Sequence, residues 1–434
     1  MQTGLTTTLW QRLKPYRVRI LLLLSVIGPG IITANVDNDA GGITTYSVAG
    51  AHYGYTLLWM LPLVALALIV VQEMSARLGV MTGKGLADLI REMMGVRVTA
   101  IILGLLVFVN LANTVSEFAG VAASMEVFNI SKFISVPIVA VGVWFLIVKG
   151  NYKMVERVFL VASAIYLAYV ASGIMAKPDW GQVLLATRTP TFHLDVGFVT
   201  IFVTIIGTTI APWMQFYQQS SIVDKGIRPE NYQYEVADVL VGSLFAVFVA
   251  AFIVIACAAT IFTHGIQIET AKDAALALAP LAGKYAATLF AIGLLNASVF
   301  SAGILPLSTA YTVSEAFGFE SGISRSLKEA PVFFGIYTAM IVLGALIILL
   351  PLKSLIQTMI VSQTMNGVLL PVILIVMLRL INNKKIMGKF TNSRIYNLLS
   401  WIIAIILIVL AIILVVVTFF PSTATILSSF SQYF

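Results

Sequence analysis

Between residues 19 and 420 the chain passes from one long apolar run to the next, with only short polar or Gly/Pro punctuation between them. A nearly uncharged run of about 18 residues or more is long enough to cross the hydrocarbon core of a bilayer as a helix. Eleven spans are read, near 19–51, 54–76, 98–124, 133–149, 153–176, 194–222, 236–263, 283–316, 330–350, 355–381 and 395–420. Hydrophobic residues make up 59% of the chain and charged residues 10%, against about 25% charged in a soluble domain. The expectation is an all-α polytopic membrane protein whose core is its helix bundle. Spans 1, 6 and 8 exceed the roughly 20 residues of one straight crossing, so each must be tilted, extended or broken.

The net charge of +7 comes from basic residues scattered through short loops, which speaks against a nucleic-acid partner. Of the 26 Lys and Arg, only Lys132, Lys177, Arg188, Lys272, Lys284 and Lys353 fall on one side of the spans, and the other 20 share the side of the N-terminus. The positive-inside rule then puts the N-terminus in the cytoplasm and, after eleven spans, the C-terminus outside a plasma (inner) membrane. The single Cys257 excludes an internal disulfide and a Cys-rich metal site. The first apolar segment lacks a small-residue cleavage site and reads as part of the bundle. A monomer in the lipid bilayer is expected.

Two spans carry interruptions. Span 1 contains Gly28-Pro29-Gly30 and then "NVDNDAGG" from Asn35 to Gly42; span 6 contains "IGTTIAPWMQFYQQSS" from Ile206 to Ser221, with Gln215 just past its proline. Asn, Asp and paired Gly disfavour a helix interior, and Pro212 removes a backbone donor. Unwound backbone at membrane depth survives only where it is buried in protein or lines a wet cavity. Breaks five spans apart mark corresponding positions of an inverted repeat, with spans 1–5 and 6–10 as the halves and span 11 as an addition.

Three acids lie clearly within spans, Asp37, Asp39 and Glu117, and intramembrane acids are functional candidates. Glu73, Glu126, Asp238 and Glu315 lie at span ends, where water is expected to reach them. No Lys or Arg sits mid-span, so the compensating charge must come from a mobile cation, a proton or a helix N-terminus. Carboxylates with free carbonyls and no basic partner suit a hard cation such as Mg²⁺, Ca²⁺ or Mn²⁺. Asp39 can also cap the second half-helix. His52, His193 and His264 lie at outer span ends or in outer loops, which leaves a soft-metal site poorly supported. Met214, beside the break in span 6, reads as packing.

From about residue 20 to about residue 420 the chain resembles the Nramp family of divalent-metal transporters. The resemblance rests on "GPGIITANVDNDAGGITTYSVAGAHYGYTLLW", "SARLGVMTGKGLADLIRE" and "LPVILIVMLRLINNKKIMGKFTNSR" in combination. It implies a LeuT-like 5+5 inverted repeat plus one extra helix, eleven transmembrane helices in all, with helices 1 and 6 broken. The corresponding organisation is a cytoplasmic segment at 1–18, a transporter core at 19–382 with repeats at about 19–176 and 194–382, and helix 11 with a short external tail at 383–434.

The chain departs from the family pattern where the pattern binds metal. The family's Asp-Pro-Gly-Asn falls on Asp39-Ala40-Gly41-Gly42, which keeps the carboxylate and loses the Asn ligand. Its Met-Pro-His falls on Ala211-Pro212-Trp213, and its Asp-x-x-Glu in span 3 on Thr114 to Glu117. A polar position in span 10 is Leu369, with Gln363 and Asn366 one or two turns earlier. Asp37 is an addition. A thioether favours softer metals, so Ala211 removes that discrimination and, with Gly42, is expected to widen the pocket for a partly hydrated Mg²⁺. The departures look like those of the prokaryotic Nramp-related magnesium transporters. They imply a site made of Asp39, the carbonyls near Val36 and Thr208, Ala211, Gly42 and Asp37. Pathway or gating candidates are Trp213, Glu117, Thr114, Gln363, Asn366 and Gln215.

Trp213 cannot titrate and Thr114 carries no charge, so the proton route implied by the family is incomplete. The expectation is Mg²⁺ and Mn²⁺ uptake as substrate, with no cofactor and no enzymatic activity, driven by gradient and potential. A divalent ion gains about 4.6 kcal/mol per 100 mV. The alternative is a proton-coupled Mn²⁺/Fe²⁺ transporter of the same family. An amino-acid carrier of the same fold is disfavoured because two acids in span 1 would repel a substrate carboxylate. An enzyme is disfavoured because no nucleophile–base set or phosphate-cradling loop appears.

Overall fold

The computed structural model describes residues 36–149, 163–193 and 195–419, and among them every regular element is a helix. The principal helices are α1 (Ala40–Tyr53), α2 (Met60–Thr82), α3 (Leu86–Glu126), α4 (Lys132–Lys149), α5 (Leu167–Met175), α6 (Trp180–Arg188) and α7 (Val196–Thr209). They are followed by α8 (Pro212–Asp224), α9 (Tyr232–Thr260), α10 (Ala286–Phe317), α11 (Pro331–Leu349), α12 (Leu355–Ile381) and α13 (Arg394–Phe419). Nine stretches of the described residues are long and apolar enough to cross a membrane, and they correspond to spans 2–4 and 6–11. α1 is the second half of span 1 and α5 the end of span 5. The segment 1–18, Gly28–Gly30, the first half of span 1, the start of span 5 and the tail beyond 419 lie outside the described residues.

The three over-long spans resolve differently. Span 6 breaks into α7 and α8, with Ile210 (φ −124°, ψ 58°) and the extended Ala211 between them. Pro212 opens α8 at a first-turn position, where its missing N–H costs no helical hydrogen bond. Span 1 is unwound at 37–39 and restarts as a helix at Ala40. Span 8 does not break: α10 runs 32 residues, about 48 Å at 1.5 Å per residue, and so extends beyond a core of about 30 Å. Span 3 begins earlier than its apolar run suggests. α3 starts at Leu86 and changes direction at Gly95 (φ 78°, ψ 166°), a left-handed position open to glycine. Its first turns bury Leu86, Ala87, Leu89 and Ile90, an amphipathic pattern that a search for continuous apolar runs passes over.

Close backbone contact carries α12 to the centre. A side chain on Gly207 of α7 would overlap the Gln363 carbonyl and the Gly367 amide, and one on Gly367 would overlap the Val203 carbonyl. With only hydrogens there, the two helices touch along their backbones, and Gln363 comes to lie over Gly41 of α1. α3 packs along both α10 and α12, and α9 along α1.

The two ends of the bundle differ. At one end, Arg77 pairs with Glu73 (3.1 Å) and donates to Asn392 Oδ1 (2.5 Å) and the Phe390 carbonyl (3.3 Å). Tyr232 of α9 donates to the same Glu73, so α2, α9 and the segment before α13 are tied together. At the other end a cavity of about 850 Å³ is lined by Val48, His52, Glu126, Lys132, Glu269 and Ile360, among others. Ile360 lies one turn of α12 before Gln363.

Candidate metal centre

The unwound 37–39 segment ends in a helix N-terminus, and acids converge on it. Asp39 is the N-cap of α1: its backbone is extended (φ −68°, ψ −175°) and its Oδ1 accepts from Gly42 N at 2.5 Å. The α1 amides thus face a carboxylate, the favourable pairing for a helix dipole. Glu117 reaches the same helix end from α3, where its Oε2 accepts from Ala40 N at 3.3 Å. In a continuous helix that Ala40 amide would point back to the carbonyl of Val36, which is fully buried. Asp39 and Glu117 therefore meet at one end of α1.

Gln363 of α12 closes a third side. Its Nε2 lies 3.3 Å from Oδ1 and 3.2 Å from Oδ2 of Asp39. Asn366 Nδ2 holds Gln363 Oε1 at 2.8 Å, and Asn366 and Asn113 exchange two amide hydrogen bonds of 2.9 and 3.1 Å.

The break in span 6 faces the break in span 1. The Thr208 carbonyl would bond the amide four residues on, and that residue is Pro212, which has none. The Thr208 hydroxyl is buried without a partner, as are both carboxylate oxygens of Asp37. The Tyr46 and Thr209 hydroxyls meet at 2.7 Å and bridge the breaks. The Ala211 carbonyl accepts from Met214 N at 3.1 Å. Oriented to suit its neighbours, the Gln215 amide donates to the Ala211 and Pro212 carbonyls at 2.7 and 2.8 Å.

Several expectations need correction. Gly42 does not widen the pocket: a side chain there would overlap the Asp37 carbonyl and crowd the Thr208 hydroxyl and the Asp39 carboxylate. The space is already filled by backbone. Thr114, a pathway or gating candidate, donates its hydroxyl to Asn110 O at 2.8 Å and sets its methyl against Gly344 of α11. Glu73 and Asp238 are not solvated, at 9% and 1% exposure. Asp238 and the fully buried Glu235 lie where α2, α8 and α9 meet.

The other candidates fall into place around the site. Trp213 is buried with its ring centroid 6.4 Å from that of Tyr217, and its carbonyl accepts from Ser308 at 3.0 Å. Met214 is fully buried. Among the described residues no three His, Cys, Asp or Glu side chains form a metal-binding group, so Asp37 does not join Asp39 and Glu117 in a three-acid cluster. What converges on Asp39 is the neighbouring Glu117 carboxyl and amide N–H groups that donate to its carboxylate, while the Asp37 carbonyl and the Thr208 hydroxyl lie against Gly42.

Asn113 and Tyr46 were missed on reading the sequence. Asn113 was within reach: Asn110, Asn113, Thr114 and Glu117 recur at helical spacing in an otherwise apolar run. Tyr46 carried no signal, since a lone Tyr in an apolar run is ordinary.

Residues 30–417 match the family model Nramp, natural resistance-associated macrophage protein-like. The divalent metal cation transporter MntH of Bacillus subtilis (strain 168) is 26% identical over 410 residues, covering 92% of this chain and 93% of that protein. MntH of Caldanaerobacter subterraneus is 27% identical over 401 residues, covering 89% and 91%. Among solved structures, the Eremococcus coleocola manganese transporter in complex with an aromatic bis-isothiourea compound superposes with a TM-score of 0.73 at 19% identity, covering 95% of this chain and 91% of that one. Mhp1, a nucleobase-cation-symport-1 transporter in a closed conformation, superposes at 0.53 with 14% identity and 92% coverage of each chain. These superpositions and the two facing breaks give the fold as LeuT-like. With most of its length inside the family model, the chain belongs to the Nramp family.

Proposed function

We propose that this protein takes up Mg²⁺ and Mn²⁺ by alternating access, driven by ion gradient and membrane potential without obligatory proton flow. One observation carries the reading: Asp39 stands at the N-terminus of α1, opposite a span 6 break whose Ala211 and Trp213 carry neither a thioether nor an imidazole. Ala211 and Trp213 occupy the positions where the family pattern has its soft and titratable ligands. Oxygen-only coordination suits hard cations that keep part of their water. Asp39 is the direct ligand in this reading, with the carbonyls of Val36 and Thr208 beside it and Asp37 adding negative charge nearby. The protein works as a monomeric transporter in the inner membrane. Its N-terminus is cytoplasmic, its core spans 19–382, and helix 11 with a short external tail occupies 383–434. In that orientation the 850 Å³ cavity opens outward and the Glu73–Arg77 cluster closes the cytoplasmic end.

The test is reconstitution in liposomes, with Mg²⁺ and Mn²⁺ influx and internal pH recorded together. Influx of both ions without acidification is expected; no Mg²⁺ influx would overturn the substrate assignment. One observation favours the proton-coupled alternative, namely that Glu117 shares the helix end with Asp39. Metal-driven acidification would decide for it.

A further inference from the structure

The amides of Gln363, Asn366 and Asn113 form a chain with a defined sense. Asn366 Nδ2 donates both to Gln363 Oε1 (2.8 Å) and to Asn113 Oδ1 (3.1 Å), and Asn366 Oδ1 accepts from Asn113 Nδ2 (2.9 Å). Because its oxygen is held, Gln363 turns its NH₂ toward the Asp39 carboxylate. The sense of an amide chain is fixed by its ends, and reversing one member alone would set oxygen against oxygen. Reversing all three keeps every internal bond: Asn113 then donates to Asn366 where it accepted, and Gln363 donates to Asn366. The one change falls at Asp39, which would face Gln363 Oε1 instead of NH₂. Two facing oxygens repel unless a cation lies between them. All three side chains are buried at 0–1% exposure, so no water competes for these bonds, and partial reversal would leave unpaired groups.

We propose that Gln363, Asn366 and Asn113 form a two-position amide switch that reports and tunes the ion at Asp39. In the position seen here Gln363 competes with a cation for Asp39. In the reversed position its oxygen becomes a hard ligand. Asn366 and Asn113 are positioning residues that act only through Gln363, and they carry the state of the site from α1 across α12 to α3. The inference rests on Asp39 being the ion ligand.

The test uses the full chain in detergent or nanodiscs, with MgCl₂ and CdCl₂ titrated calorimetrically. Asn113→Ala should weaken Mg²⁺ binding by roughly tenfold, the scale of one lost hydrogen bond to a charged site. Cd²⁺, which gains less from an amide oxygen, should weaken by no more than about threefold. In a Gln363→Leu background Asn113→Ala should change neither, because coupled residues are non-additive. Asn366→Ala is the second variant, with the same expectation, should Asn113→Ala fail to fold. Equal losses for both ions, or losses that persist in the Gln363→Leu background, overturn the switch. Retained Mg²⁺ binding in Asp39→Ala overturns the site reading itself, which separates the two failures.

Discussion

Tyr46 donates its hydroxyl proton to Thr209 across 2.7 Å. The sense follows from the partner: Thr209 spends its own proton on the Ile205 carbonyl at 2.7 Å, so it can only accept from Tyr46. One hydrogen bond thereby joins the half-helix after the first break to the half-helix before the second. Tyr46→Phe leaves Thr209 bonded to Ile205 and removes only this tie. A buried bond of this kind contributes about 1 kcal/mol, so folding should survive. The expected outcome is a several-fold lower maximal Mn²⁺ flux in liposomes at near-normal thermal stability. Unchanged flux would mean that the two half-helices move independently of this contact.

Asp39→Ala removes the N-cap of α1 together with the proposed ligand. Capping alone is worth about 1 kcal/mol, so the variant should still be recovered as folded monodisperse protein while its Mg²⁺ and Mn²⁺ flux falls to background. Substantial residual flux would place the ion elsewhere.

Ala211→Met restores a soft ligand at the start of α8. Competition uptake with Mg²⁺, Mn²⁺ and Cd²⁺ should show preference moving toward Mn²⁺ and Cd²⁺ by about tenfold, the effect of one thioether contact of order 1.4 kcal/mol. If the ranking of the ions does not move, the span 6 break does not set selectivity.

Gly42→Asn should not yield a working site by itself. Its Cβ would overlap the Asp37 carbonyl, and a clash with backbone cannot be relieved by a rotamer change. Size-exclusion profiles should show less folded protein than for the unsubstituted chain at a matched expression level, and Gly42→Ser, which adds the same Cβ, should share the loss. Normal yield and flux for Gly42→Asn would show that the 37–39 segment yields readily.

Arg77→Ala breaks one ion pair and two further hydrogen bonds that join α2 to the segment before α13. Both partners of the ion pair are only 12% exposed, so the loss should exceed that of a surface pair; a cost of about 2 kcal/mol is expected. A cysteine placed at Asn392 should react faster with a water-soluble maleimide when Arg77→Ala is also present. Equal labelling rates would mean that the cluster does not hold this end shut.

The helices and their breaks were legible because membrane solvation writes them in composition: apolar runs for the spans, and Asp39, Gly41–Gly42 and Pro212 for the interruptions. The family pattern added which acid to watch. Three-dimensional adjacency was not legible. That Gly42 is pressed by backbone, that Thr114 turns toward Gly344, and that Glu235 and Asp238 lie buried between three helices all depend on helix rotation and crossing. A single apolar sequence specifies neither tightly, because lipid and protein neighbours favour the same residues. The start of α3 was lost for the opposite reason, since its first turns are amphipathic and no apolar run marks them.

Glu117 gives the first amide of α1 its partner from a different span. The beginning of α1 is therefore not a property of α1 alone. Any swing of this half-helix that changes access to Asp39 must either drag α3 along or unhook from it, and α3 is a long helix braced against α10 and α12. The carboxyl at position 117 thus belongs to two helices at once, closing the start of one from the flank of the other.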